Sequence, residues 1–178
     1  MQKRQVAALP YHRKRGVKIL LITSKETRRA IIPKGWPKKK KKEHAAAAKR
    51  ARREAGLKGK VGKQPIGVYS YWKRGKGHYE LCEVAVYPLA VTRLRKRWRD
   101  MKDRRMRWFP PDDAALLIDE PDLSTLIRQF AKEFAGKRGK PKSSKPSPAR
   151  GRSNGSRSER IGVVHHGTTK EPSGPPTA

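Results

Sequence analysis

Three charged side chains, Arg50, Arg53 and Glu54, have a spacing that places them on one face of a predicted helix. Side chains three and four positions apart are neighbours on a helix surface. The helix spans residues 43–55, nearly all strong helix formers, and Gly56 follows as its stop. Because a guanidinium forms paired hydrogen bonds with phosphate oxygens, two arginines on this face favour phosphate recognition.

A run of five lysines, residues 38–42, leads into the same helix. The amino end of a helix presents unpaired N–H groups and the positive end of the helix dipole, so a lysine-rich loop there predicts an anion site. The predicted phosphate-binding residues are Lys34, Lys41, Lys49, Arg50 and Arg53.

The whole chain is strongly basic, with 46 Lys and Arg against 15 Asp and Glu in 178 residues, a formal net charge of +31. Such an excess of positive charge affects which partners the chain binds and how soluble it is, but it does not determine the fold. Polyanions are the natural partners: nucleic acid, polyphosphates or an anionic surface. The alternative is solvated charge without a specific partner.

The remaining pattern alternates strands and helices, which predicts an α/β fold with a mixed sheet covered on both faces. A strand ending near residue 32 precedes the predicted helix, and Pro33 closes it. A later helix over residues 123–134 has an apolar face that we expect to be core. The predicted strands are residues 5–11, 17–23, 30–32, 61–72, 78–91 and 106–109.

The composition changes abruptly after Gly136, which predicts a domain over residues 1–136 and a disordered tail over residues 137–178. The tail is rich in Lys, Arg, Ser, Pro and Gly and has little to bury. It either binds nucleic acid through release of counterions or keeps the chain soluble, and both alternatives stay open. One cysteine and no transmembrane segment lead us to expect a cytoplasmic location.

Residues 35–57 also resemble the signature box of the Nudix pyrophosphohydrolases, G-x5-E-x7-R-E-U-x-E-E-x-G-U, in which U is a bulky aliphatic residue. Gly35, Glu54 and Gly56 keep their positions in the box, whereas Arg50 and Arg53 replace two glutamates. Residues 33–37 and 65–67 are similar to bacterial members near the diphosphoinositol-polyphosphate phosphohydrolase branch. The resemblance covers residues 5–134 and implies a Nudix-like α/β/α sandwich with a mixed β-sheet.

The resemblance further implies a hydrolase that cleaves a diphosphate linkage in a phosphorylated small molecule, of the nucleotide or inositol pyrophosphate class. Its box carboxylates hold Mg2+ or Mn2+, and the metal activates a water molecule. Carried over to this chain, Glu54 is the catalytic residue, Glu54 and Glu83 are the metal ligands, and Gly35 and Gly56 shape the box.

Two hypotheses follow, because an arginine side chain does not ligate a metal. In the first, the chain is a Nudix-type hydrolase whose metal is held by Glu54 with carboxylates from outside the box. In the second, it is an inactive module of the same fold that binds polyanionic phosphates or nucleic acid through its basic cleft and tail. The two differ in whether other carboxylates converge on Glu54.

Overall fold

The computed structural model describes residues 3–37 and 42–136, which lie in a unit spanning Met1–Pro141. Lys41 and the expected tail, residues 137–178, lie outside the described residues. The strands are β1 (Lys3–His12), β2 (Lys18–Thr23), β3 (Ala30–Ile31), β4 (Lys34–Gly35), β5 (Leu57–Val61), β6 (Gly67–Arg74), β7 (Tyr79–Leu94) and β8 (Met106–Phe109). The helices are α1 (Glu43–Ala55), α2 (Pro111–Leu116) and α3 (Pro121–Gly136).

The described strands form one mixed sheet with the order β3-β2-β1-β7-β5. Strands β1 and β7 are parallel, and the other pairs are antiparallel. Short strand β4 pairs with β1, β6 with the first half of β7, and β8 with β2. The pairing of β4 with β1 brings the box glycine Gly35 opposite Val6, so the start of the box is fixed to the centre of the sheet.

Helices cover both faces of this sheet, which confirms the predicted α/β/α sandwich. Successive side chains of a strand point to opposite faces. Accordingly Val6 and Ala8 of β1 pack with α1, whereas Ala7 and Leu9 pack with α2 and α3. In the described part of the chain, no helix has the length and apolar character needed to cross a membrane.

The strand predicted over residues 61–72 is instead divided between β5 and β6. Both pair with β7, β6 up to Val86 and β5 from Leu89 onward. Pro88 lies between them and has no N–H to donate to an edge strand. Its carbonyl accepts a hydrogen bond from the N–H of Gly62. The segment between β5 and β6 therefore leaves the sheet beside Pro88.

Helix α1 lies against the sheet through alanines, as the sequence predicts. Ala47, Ala51 and Ala55 are at most 1% exposed and pack in the core beside Val6 and Ala8. Small side chains let the helix approach the sheet closely, so this face has no room for a larger residue.

We predict that Ala51→Leu lowers the free energy of unfolding by about 1–3 kcal/mol, because the added atoms overpack the contact with the sheet. The matched control is Ala45→Leu, an exposed position of the same helix, where the change stays within about 0.5 kcal/mol. Urea titration followed by circular dichroism measures both. Equal stability of the two variants contradicts this packing.

Candidate phosphate-binding cleft

Arg50 lies directly on the backbone of β4. A side chain built on Gly35 would place its Cβ 2.3 Å from Arg50 Nε, so a larger residue there would displace the guanidinium from its present position. Arg50 Nη2 also points to the carbonyl oxygen of Trp36 at 3.5 Å. The glycine at the start of the box and the arginine in α1 therefore depend on each other.

At the other end of α1, Gly56 ends the helix in the left-handed conformation with a φ of 66°. A Cβ at Gly56 would meet the ring of Trp98 at 2.6 Å, so glycine is required there both by conformation and by space. Residues 95–100 dock on this end. Arg95 N–H donates to Gly56 O at 2.9 Å, and Asp100 N–H donates to Arg53 O at 3.3 Å.

These two contacts shape a basic cleft beside α1. Its volume is about 470 Å³, and one exposed aromatic ring, Trp36, lies at its edge. Besides Trp36 and Ala46, the cleft is lined by the cationic residues Lys49, Arg50, Arg52, Arg53, Arg95 and Arg99. Six cationic side chains around one concave surface create a strongly positive potential that attracts phosphate groups.

Glu54 is not among the lining residues, although it lies on the same turn of α1 as Arg53. Its side chain is 8% exposed and lies 3.9 Å from Arg104 Nη2. The backbone N–H of Lys34 donates a hydrogen bond to its carboxylate. Burial raises the pKa of Glu54 above its ordinary value, while Arg104 and then Arg50 oppose this shift.

Arg104 links Glu54 to a second buried carboxylate. Its Nε lies 3.5 Å from Asp100 Oδ2, and its Nη1 donates to Thr23 O at 2.8 Å. Asp100, only 5% exposed, also lies 3.2 Å from Lys25 Nζ. Both carboxylates are thus paired with cations inside the fold and turned away from the basic cleft.

Glu83 belongs to a different cluster, near the amino end of α1. It lies 3.7 Å from Arg4 Nη1, and the same guanidinium pairs with Glu43 at 2.9 Å. Tyr87 OH donates to Glu43 at 2.6 Å. Glu43 and Glu54 are eleven residues apart in the helix, about 16 Å along its axis. The structure therefore does not bring Glu83 and Glu54 together.

The residues present do not fit the divalent metal that the box resemblance implies. Among residues 3–37 and 42–136, no group of three or more His, Cys, Asp or Glu side chains could hold a metal ion. At the box positions, Arg50 and Arg53 offer only donors, and the carboxylate of Glu54 is already paired with Arg104.

The predicted phosphate-binding residues separate into two groups. Lys49, Arg50 and Arg53 line the cleft, whereas the side chain of Lys34 lies elsewhere. Lys34 Nζ is 3.6 Å from the centre of the Tyr71 ring and 3.7 Å from Glu120 Oε1. Burial lowers the pKa of Lys34 to about 8. Lys41 lies outside the described residues.

The sequence analysis missed Arg95, Arg99 and Arg104, none of which is among the predicted phosphate-binding residues. Arg95 contacts Gly56, 39 residues away, and Arg104 contacts Glu54, 50 residues away, and no local pattern predicts such contacts. The one available signal was Trp98, a large ring within an otherwise charged segment. Its contact with Gly56 is what docks the segment.

Comparison with known proteins identifies the fold. No protein-family model matches the chain, and no curated protein matches it in sequence. Among solved structures, a C. elegans Ap4A hydrolase is similar with a TM-score of 0.55 and 16% identity, over 75% of this chain and 99% of that chain. A NUDIX hydrolase from Nitrosomonas europaea has a TM-score of 0.57 and 17% identity, over 77% of this chain and 91% of that one.

A NUDIX hydrolase from Listeria monocytogenes is similar as well, with a TM-score of 0.55 and 10% identity over 76% of this chain and 97% of that chain. The described chain therefore has the fold of the Nudix hydrolases, as the resemblance of residues 35–57 implies. Identities this low establish the fold alone.

The two acids of α1 predict opposite pH dependences. Burial raises the pKa of Glu54 in the folded state, so its contribution to stability falls as pH rises from about 4.3, the unfolded value, through the folded value. The hydrogen bond from Tyr87, then those from Arg4, lower the pKa of Glu43. Its contribution is present above about 4.3 and is lost as pH falls through the folded value.

We therefore predict that wild type loses stability relative to Glu54→Gln as pH rises from about 4.3 through the raised pKa of Glu54 in the folded state. Relative to Glu43→Gln, wild type gains stability as pH rises towards about 4.3. Urea unfolding of the three proteins between pH 3 and 7 measures both differences. The same pH dependence for both variants contradicts the described surroundings of the two carboxylates.

Proposed function

We propose that this chain is a Nudix-type protein whose basic cleft binds a small molecule carrying a diphosphate, of the nucleotide or inositol pyrophosphate class. The observation that carries the proposal is the orientation of α1. Its arginines Arg50 and Arg53 line the cleft, whereas its acid Glu54 is buried against Arg104. The positively charged guanidinium groups at the cleft are therefore suited to bind phosphate oxygens without a bridging metal ion.

The chemistry of the cleft supports a diphosphate rather than a single anion. Several guanidinium groups converge from two separate segments, α1 and residues 95–99, so that one diphosphate can be held from both sides. Arg50 is fixed by its contact with β4, which limits the entropy lost when it binds a ligand. Trp36, at the edge, offers an apolar face to the group attached to the diphosphate.

Hydrolysis of the bound diphosphate is the second candidate function, and the fold shared with hydrolases favours it. It would need Mg2+ or Mn2+, but arginines replace the expected ligands at positions 50 and 53. Two further points stay predictions: the relation of this chain to the diphosphoinositol-polyphosphate phosphohydrolase branch, and nucleic acid binding by residues 137–178.

We predict that the full chain binds ADP without divalent metal, and more tightly than AMP. Arg50→Ala and Arg53→Ala should each weaken ADP binding about tenfold or more, because a hydrogen bond to a charged group contributes about 1.5–3 kcal/mol. Lys132→Ala is the matched control, since it removes an exposed charge from α3 on the opposite face of the sheet. Calorimetric titration in EDTA measures all four proteins.

Undiminished ADP binding in both arginine variants, or loss of binding on addition of EDTA, contradicts the proposed role of the cleft. Thermal unfolding of each variant separates a lost ligand contact from a lost fold.

For turnover, we predict that wild type releases little product from Ap4A or ADP in Mg2+. The double variant Arg50→Glu with Arg53→Glu should gain Mg2+ affinity and lose metal-free ADP binding, because each substitution changes the local charge by two units. Wild-type turnover of about 1 per second or more would favour the hydrolase over the binding module.

A further inference from the structure

A second basic cavity lies next to the basic cleft. Its volume is about 620 Å³, and it is lined by Lys58, Arg93, Leu94, Arg95, Lys96 and Arg97. Arg95 lines both cavities. The two therefore adjoin at this side chain, and we call the cationic residues of both together the basic track.

The cations of the second cavity have no acidic partners in the described part of the chain. No ion pair there involves Lys58, Arg93, Lys96 or Arg97. The nearby acids Glu54 and Asp100 are buried and paired with other cations, as described above. The positive charge of this surface is thus left to solvent or to a ligand.

The fold also holds two of these cations in an unfavourable place. Lys58 of β5 lies directly opposite Arg93 of β7 in the antiparallel ladder, and a register shift follows at Gly59. Like charges directly opposite each other destabilise a strand pair. An arrangement that costs stability without an evident gain within the fold is characteristic of a functional site.

We propose that the basic track is a binding surface for single-stranded nucleic acid. A diphosphate needs only the basic cleft, whereas a chain of successive phosphates can neutralise the cleft and the second cavity together. Trp36 is 37% exposed, with Lys73 Nζ 5.2 Å from the centre of its ring. It adds an aromatic side chain to this surface, and stacking on such a ring suits the bases of a single strand. The positive charge and the ring together match both parts of a nucleotide chain.

The inference does not depend on the proposed binding of a small diphosphate, because Lys58 and Arg97 line only the second cavity. It also concerns the described residues and not residues 137–178. The tail is the same in every variant of the full chain, so its contribution cancels in the comparison.

The test uses two double variants of equal charge. The track variant carries Lys58→Glu and Arg97→Glu, and the control variant carries Lys14→Glu and Lys132→Glu. The control residues are exposed in the turn after β1 and in α3. Anisotropy of a labelled twelve-residue oligothymidylate gives the affinity of each full-length protein at several salt concentrations. We expect the track variant to lose about tenfold or more in affinity and the slope of log K against log salt to flatten by about 1.4, or 0.7 for each lost phosphate contact.

The control pair should change affinity and slope much less, since screening limits the effect of distant charges to about 8–10 Å. Equal losses in the track and control variants overturn the proposal. The neutral pair Lys96→Gln with Arg97→Gln tests the same surface without reversing charge, and an unchanged slope there overturns it too. ADP binding should stay unchanged in the neutral pair Lys96→Gln with Arg97→Gln, since neither residue lines the cleft, so failure of this inference is distinguishable from failure of the proposed function.

Two further arms distinguish the nucleic acid from other polyanions. Trp36→Ala should weaken oligothymidylate binding, and Trp36→Phe should retain most of it, because a ring at this position can still stack. If inorganic polyphosphate of equal charge competes as well as the oligonucleotide and Trp36→Ala has no effect, the surface binds phosphate chains generally and the assignment to nucleic acid is wrong.

Discussion

The contact of Trp98 with Gly56 is the constraint on which the whole basic surface depends. The ring occupies the space where any other residue at position 56 would carry its Cβ. With the chain held there, backbone N–H groups of Arg95 and Asp100 reach the last carbonyls of α1. These carbonyls are the ones a helix leaves unpaired, so docking satisfies them and fixes the cationic segment beside the helix at the same time. The negative end of the helix dipole favours the cations placed there.

The same docking explains why Glu54 of the box is buried, whereas Arg53 is exposed and Arg50 is half-buried. Asp100 and Arg104 follow Trp98 in the chain and close over Glu54, so the carboxylate loses water but gains a nearby guanidinium. Removing one member of such a buried pair leaves an uncompensated charge. Arg50 Nη2 points to the carbonyl oxygen of Trp36, just after β4, and the cleft leaves its remaining donors to solvent or ligand.

The sequence predicts local features of this chain well and distant ones poorly. Helix α1 begins and ends where its composition and Gly56 predict, and its alanines face the sheet. The pairing of strands is harder to predict. Strands β5 and β6 both pair with the one long strand β7, and nothing within residues 61–72 indicates where β5 ends and β6 begins. The candidate site follows the same rule: Arg50 and Arg53 were found by their spacing on one helix.

Lys34 shows why adjacency in sequence misleads at a strand. It is next to Gly35, yet alternation along β4 sends its side chain to the face opposite α1, among Tyr69, Tyr71 and Glu120. Only its backbone N–H reaches Glu54. One residue thus serves both faces of the sheet, with its amide holding the acid of α1 and its ammonium group buried among aromatic rings.

The charge of the described fold is arranged by depth rather than spread evenly. Acids near the cleft are buried with their own cations, whereas Lys58, Arg93, Lys96 and Arg97 form no ion pair among the described residues. An opposed pair such as Lys58 and Arg93 costs a few tenths to about 1 kcal/mol, and screening by salt reduces that cost. A polyanion bound as proposed would reduce the repulsion, because its phosphates would lie near both cations and release their counterions. Binding strength and fold stability should therefore respond to salt in opposite directions at this surface: added salt weakens the ligand contacts while it relieves the repulsion in the unbound protein.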